Sequence, residues 1–595
     1  MSAKARMGAV MLSRRKLFSM ILIMFVLFAL FMFTEFYISS STDYNVNPYA
    51  SEVTHLRSDS WETDGSGPRQ TALIGSAESG AGNIVSQWCT YAKRPLDCFN
   101  SLEEYMEAGS DDTQVLCIDA GSLSLPSDEE RLSELAEQDL TVIFCSLPDM
   151  DTVSHSPALR ALLGIEEVLR QTTLSGVYLY DGFLLGGEAL YGQDTGMEVD
   201  LEIPWYKLES GTKVYITGLT RTAKKDEGQD KRPAILWRNN EGRARVFAVN
   251  GDFMEDETGL GLLEGMLAES SSYLLYPIVN VQELTVADYP SFAMENTEEL
   301  QSIYASNHRL LLQNTVWQSM LALSERSGFK LTCFLTTQLR EAEEAPRAAD
   351  LEYYMRQLGE GHGEAGRSAN GSGADSPAGQ WERDSAFFRE SGSTYPHTAV
   401  YGGDDASGFL SVMETEEASD IRTLVIDGGS PLLSYLTEDI TNQGITHHAD
   451  RYGFREDLKN RSIQTALAYT NILLDLRRVT WPESEEDHWE NYSREVLGNI
   501  ETWWKPYAQF NKTTATESDA SLRRFFALDY QDQREDDVIT LEVSGREGTA
   551  SFLLRTHDRE VRSVTGGTVT RLEKDIWLLS VQEDTVQIEL RRGLP

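Results

Sequence analysis

The feature that most constrains this chain is a repeated exchange of apolar strand-like runs with helix-like segments. VLCIDAG (Val115 to Gly121), an acidic helical segment from Ser127 to Gln138 and LTVIFCSLP (Leu140 to Pro148) set the pattern. GVYLYDG (Gly176 to Gly182), KVYITGL (Lys213 to Leu219), AILWRN (Ala234 to Asn239) and RVFAVNGDF (Arg245 to Phe253) continue it. Continuous apolar strands joined by helices predict a parallel sheet covered on both faces, a flavodoxin-like or amidotransferase-like α/β domain over 83–276. It holds no nucleophile elbow, dinucleotide fingerprint or phosphate loop, so it reads as a binding or architectural module.

The same alternation returns over 277–530 with YPIVNVQELTV, FKLTCFLT (Phe329 to Thr336), IRTLVIDGG (Ile421 to Gly429) and the Gly- and Pro-free run from Arg461 to Val479, which predicts a long helix. Such spacing over about 250 residues predicts an irregular α/β barrel. The charge run and Gly/Ser-rich stretch between Glu341 and Gly392 predict a mobile surface insertion. After Arg534 the pattern turns to short alternating strands, which predicts a small β-sandwich over 531–595. The full expectation is α/β with an added all-β module.

Residues 1–16 are basic, and 17–38 hold an apolar run of bilayer-spanning length that predicts a transmembrane anchor. The charge bias places the N-terminus in the cytoplasm and the bulk outside the cell membrane. A cleaved signal peptide is the rival reading, disfavoured by the length of the run and the lack of a small-x-small site. Residues 39–82, polar and without hydrophobic period, predict a linker.

The 595 residues carry 94 acidic against 52 basic side chains, a formal charge of −42. Such a surface excludes nucleic acid as a partner and attracts polycations, or simply keeps the chain soluble. Five scattered cysteines exclude a disulfide scaffold and a standard zinc site. Cys117, Cys145 and Cys333 read as core residues, while Cys89 and Cys98 are a pair that mass mapping would decide.

FKLTCFLT, the EAG of Glu364 to Gly366 and Tyr401-Gly402 resemble the motifs of NodB-like polysaccharide deacetylases. The three-part layout also resembles the PelA-type deacetylases of exopolysaccharide assembly. VFAVNGDF, GHGEAG and WWKPYAQFNKTT are similar to a bacterial membrane-anchored family whose domain has no assigned function. The deacetylase resemblance implies a carboxylate pair, one acting as base and the other binding a divalent metal with two histidines. Laid on FAMENTE, the base falls on Glu295 and the metal carboxylate on Asn296; the histidines fall on Ser368 and Ser372, and a late histidine on Asp475. Metal is therefore not expected at Asn296, Ser368 and Ser372, because a neutral amide is a much poorer ligand than a carboxylate and a hydroxyl does not replace imidazole.

A rebuilt site would draw on loop residues near strand ends. Asp427 is a catalytic candidate or a helix cap; Glu364, Asp404 and Asp405 are substrate-binding candidates; His447, His448 and Asp450 form a weak metal alternative or a polar loop. Trp503 and Trp504, beside Trp481, Trp489 and several acids, suit stacking on sugar rings or core packing. These readings lead to a scaffold or binding protein for cell-surface polysaccharide, a cationic amino-sugar polymer by charge, working with exopolysaccharide assembly proteins and without a cofactor. The alternatives are an active glycan N-deacetylase with a divalent metal in a non-standard site, and an envelope sensor or adaptor.

Overall fold

The computed structural model describes residues 14–41, 45–50, 70–109, 112–220, 232–371, 376–404, 406–557 and 559–592. Helix Arg14–Ser41 occupies the N-terminal apolar run. The described apolar side chains between Phe18 and Leu30 are exposed. Among the described residues no helix is long and apolar enough to cross a membrane.

The first domain opens at strand Gln70–Ile74, inside the stretch expected to be linker. Its nine-stranded sheet departs from the parallel expectation. Strands 96–99, 70–74, 113–118, 141–144 and 244–249 run parallel, whereas 234–241, 213–219, 176–179 and 189–192 continue the sheet antiparallel. Residues 242–243 between strands 234–241 and 244–249, and 180–188 between 176–179 and 189–192, are too few for the crossover that parallel pairing requires.

YPIVNVQELTV is two strands serving two domains. Leu274–Ile278 leaves the first domain and pairs antiparallel with 550–555 in the C-terminal sandwich. After Val279 and Asn280, the latter at φ 60°, strand β1, Val281–Ala287, starts the barrel. The sandwich is thus two four-stranded sheets with one strand supplied from 250 residues upstream.

Barrel strands β2 (Leu331–Leu335), β3 (Glu364–Ser368), β4 (Ala399–Tyr401) and β5 (Thr423–Ile426) follow β1 in parallel register. The run expected to be an insertion is therefore β3 between helices Ala348–Glu360 and Pro377–Glu390. The long helix expected over 461–479 stops at Leu467; Ala468 turns at φ 49°, and β6 (Tyr469–Asp475) pairs parallel with β1. Closure comes from one stretch. Thr441–Gly444 pairs parallel with β5, and His447–His448 pairs parallel with β6. Between them Ile445 N donates to Ile426 O at 2.8 Å and Thr446 N to Asn471 O at 2.9 Å, so this segment bridges both ends of the sheet.

The barrel interior is layered because alternate strand residues point inward. Ala287, Phe334, Ala399, Tyr401, Val425, Ile445 and Leu473 form the apolar middle. Gly366 is required there, since a Cβ would lie 2.5 Å from the Phe334 ring and 2.9 Å from Ala399 O. Below lie Glu283, Thr332, Glu364 and Asn471, met by the buried helix Ala515–Ala527. Thr516 N donates to Glu364 Oε2 at 3.0 Å, Ala515 N to Thr332 Oγ1 at 3.0 Å, and Asp519 accepts from Thr441 Oγ1 at 2.5 Å. This helix plugs the barrel's N-terminal end and leaves the C-terminal end for chemistry.

Candidate functional site

The C-terminal strand ends meet in a cleft of about 810 Å³ lined by Asp288, Ser368, Asp475, Arg477, Arg340 and Trp481 among others. Asp288 follows β1 directly. It is 7% exposed with φ 51°, a left-handed conformation that aspartate tolerates better than most residues. Ser368 Oγ, at the end of β3, donates to Asp288 Oδ1, and Asn370 Nδ2 donates to Asp288 Oδ2 at 3.1 Å. Asp475 ends β6. Its carboxylate holds Arg477 through Nε at 3.0 Å and Nη2 at 2.5 Å, while Arg477 Nη1 stands 3.6 Å from Asp288 Oδ2. One guanidinium therefore stands between two carboxylates.

Electrostatics follow from that placement. Burial pushes the Asp288 carboxyl above its ordinary range, against the Arg477 charge and the Ser368 and Asn370 hydrogen bonds. Hydrogen bonding to Asp475 pushes Arg477 up, so it stays charged. Tyr401 is pushed up by burial and by the nearby Asp288 and Asp427 carboxylates.

Around Asp288 stand a hydroxyl and an amide that both donate to it and a cation 3.6 Å away, so its lone pairs face hydrogens and positive charge. Among the described residues no group of three or more His, Cys, Asp and Glu is arranged to hold a metal ion.

The cleft wall explains Glu295. Its carboxylate is buried and accepts from Leu339 N and Arg340 N, both at 3.0 Å; burial, opposed by these two bonds, pushes its pKa up. Both oxygens are committed to the 339–340 loop, which brings Arg340 to 5.0 Å from the Trp481 ring centroid. Glu295 thus shapes the wall instead of facing a substrate. Asn296 lies outside the mouth as well, donating to Thr480 O at 2.8 Å. The carboxylate that stands at the mouth is Asp288, directly after β1, and not the Glu295-Asn296 pair that the sequence singled out.

Other expected residues disperse. Glu364 is fully buried at the plugged end, far from the substrate-binding role expected of it. Asp427 meets His448 Nε2 at 2.9 Å on another part of the rim, near exposed Asp404. His447 is buried, bonded to Thr446 Oγ1 at 2.7 Å and Glu456 O at 3.0 Å, and burial pulls it down to about 3. Asp450 pairs with Arg478 at 2.6 Å. Trp503 is buried 5.0 Å from His447 and half-buried Trp504 packs on Phe329, so neither lines the cleft, where Trp481 stands. Asp405 and Ser372 lie outside the described residues. All five cysteines are free, with Cys89 buried and Cys98 exposed.

Sequence reasoning missed Asp288 and Arg477. The signal for Asp288 was the D-x-P step closing ELTVA, since a carboxylate just past a strand and before a proline marks a strand end.

No family model and no curated protein matches the chain. Among solved structures it is similar to Agd3, described as a novel carbohydrate deacetylase, over 88% of this chain and 99% of that one, at 9% identity and a TM-score of 0.46. A ThuA-like protein from Bacteroides uniformis is similar over 34% of this chain and 90% of that one, at 14% identity and a TM-score of 0.23. A β-galactosidase from Bacillus circulans sp. alkalophilus covers 35% of this chain over 33% of its own length, at 15% identity and a TM-score of 0.21. With all three scores below 0.5, the chemistry rests on this chain's own residues.

Proposed function

We propose that this chain is a glycan-binding protein built on a polysaccharide-deacetylase-type barrel whose metal position is taken by the Arg477 guanidinium. The observation that carries the reading is Arg477 between Asp288 and Asp475, with Ser368 hydrogen-bonded to Asp288. Ser368 is the residue on which the family's first metal histidine falls, and it meets the carboxylate at the end of β1. A guanidinium has no vacant coordination position, so it neither activates water nor accepts a carbonyl lone pair. Glu295, on which the family's base falls, has both oxygens bonded to Leu339 N and Arg340 N, and Ala287 beside Asp288 has no proton acceptor.

Binding remains chemically well served. Trp481, steadied by Arg340, offers an aromatic face at the cleft, and Gln338 and Glu483 supply hydrogen-bond partners for ring hydroxyls. The charge of −42 favours a glycan bearing amino groups. The basic start and the apolar run of 17–38 in the sequence support a membrane anchor that presents the barrel outside to surface polysaccharide and its assembly proteins.

Calorimetry of the full chain with N-acetylated and partly deacetylated hexosamine oligosaccharides, beside an acetate-release assay, tests the reading. Binding weakened at least tenfold by Trp481→Ala, without acetate release, is the expected result. Absence of binding sinks it, and acetate release abolished by Asp288→Ala replaces it with an active N-deacetylase.

A further inference from the structure

A second cavity, of about 640 Å³, lies between the N-terminal α/β domain and the β-sandwich. Its volume is that of a small-ligand site. One wall carries Arg94 and Glu264 from the α/β domain; the other carries Asp532, Glu535 and Glu542 from sandwich strands 529–535 and 538–544; Tyr273 stands at the join.

Glu264 is the informative residue. It projects from helix Thr258–Ser270, is 2% exposed and accepts from Trp88 Nε1 through Oε1 at 2.9 Å. Its Oε2 accepts no hydrogen bond among the described residues. A buried carboxylate oxygen without a donor is unfavourable, and a residue lining a cavity can be completed from that cavity. Asp532 is the other anchored carboxylate, accepting from Tyr273 Oη at 2.7 Å. Arg94 is turned aside, donating to Thr71 Oγ1 at 3.0 Å and Gln114 Oε1 at 3.3 Å.

We propose that this groove is a second ligand site, distinct from the barrel mouth, and that it takes a small molecule bearing a primary ammonium group. Glu264, Asp532, Glu535 and Glu542 outnumber the one lining cation, Arg94, which excludes anions and favours positive charge. No group of three carboxylates is arranged to hold a metal ion among the described residues, so the charges are spread for a molecule and not for a bare ion. An ammonium group brings three donors on a compact centre, which matches one unsatisfied oxygen on a cavity-lining side chain.

The ionisation of Glu264 gives the site a signature. Burial holds its carboxyl up to about 7, against the Trp88 hydrogen bond and the Arg94 and Arg555 charges. A bound ammonium favours the carboxylate, so binding near pH 7 releases a proton. Amino sugars and polyamines share this chemistry.

Calorimetry of the full chain at low salt with glucosamine, N-acetylglucosamine and spermidine tests the proposal without resting on the barrel reading. Glucosamine or spermidine binding, with N-acetylglucosamine at least tenfold weaker, is expected, and the tighter of the two amines identifies the source. Glu264→Gln keeps an acceptor for Trp88 and is expected to weaken the amine at least tenfold and abolish proton release. Asp532→Asn, on the other wall, is expected to weaken it as well. Failure of both amines to bind, equal binding of N-acetylglucosamine, or native affinity in both variants overturns the proposal. An intact oligosaccharide signal from the barrel mouth in the same preparation leaves the glycan-binding reading standing.

Discussion

Arg477 sets the energetics of the barrel mouth. Its removal leaves Asp288, 7% exposed, without its opposite charge. Breaking a fully buried pair costs roughly 3–5 kcal/mol, and because the Arg477 side chain is 43% exposed we expect about 2 kcal/mol for Arg477→Ala. The pH dependence has a definite sign. Asp288 already lies above its ordinary range, and without Arg477 it rises further, so the folded state takes up a proton before the unfolded state does. The defect is therefore largest near neutral pH and narrows as pH falls toward the folded Asp288 pKa. Urea denaturation of both proteins at neutral and mildly acidic pH measures it; a defect that grows on acidification refutes the assignment. Little of this pairing was legible in sequence, because Asp288, Ser368 and Asp475 are 80 or more positions apart and meet only through barrel register. Ser368 was picked by motif spacing, whereas Glu295 was picked because an acidic turn resembles a carboxylate motif more than a lone D-Y-P does.

Elements were legible where their apolar period was clear and illegible where the barrel interior is polar. β2, with its run Leu331–Leu335, stands where FKLTCFLT predicts a strand. β3 reads Glu-Ala-Gly-Arg-Ser, which as sequence is a turn; its Glu364 bonds the plug helix, Gly366 admits Phe334, and Arg367 lies 3.4 Å from the Trp381 ring centroid on the outer face. β6 was read as the end of a helix because a short apolar run has no period to separate the two, and Ala468 carries no Gly or Pro to mark the break. The plug helix was not anticipated, since seven polar or charged residues in thirteen describe a half-exposed surface helix unless a polar cavity receives them. That reception makes it sensitive. Asp519 and Arg523 are at most 2% exposed and pair at 2.9 Å. Asp519→Ala strands a buried guanidinium, for an expected loss on the order of 3–5 kcal/mol, read as a lower urea midpoint at unchanged slope. A loss below about 1 kcal/mol would place this helix outside the barrel's stability.

At the scale of the whole molecule, the three domains share strands and helices across their boundaries. Helix Phe454–Leu467 belongs to the barrel yet packs on helix Thr258–Ser270 of the first domain, and Gly261 makes the approach possible because a Cβ there would lie 2.3 Å from Ser462 O. The sandwich depends on strand Leu274–Ile278, which buries Leu275 in the sandwich core and Tyr276 and Ile278 in a cluster shared with Leu185, Tyr507 and Phe510. A sequence reading places domain borders at composition shifts, so it cannot see a strand that folds with residues 270 positions later. The consequence is testable by dissection. A fragment covering 529–595 retains seven of its eight strands and loses the edge that covers 550–555, which leaves unpaired backbone groups and apolar side chains on an open sheet. We expect that fragment to be marginal or aggregating alone and to be stabilised by a synthetic peptide of 272–280 added in trans. Its melting temperature should rise with peptide concentration as mass action requires, by several degrees at saturation for a domain of this size. The same peptide with Tyr276 replaced by Pro removes a backbone donor from the ladder and should give no shift, whereas an equal shift from both peptides would show that the strand is not held by β-pairing.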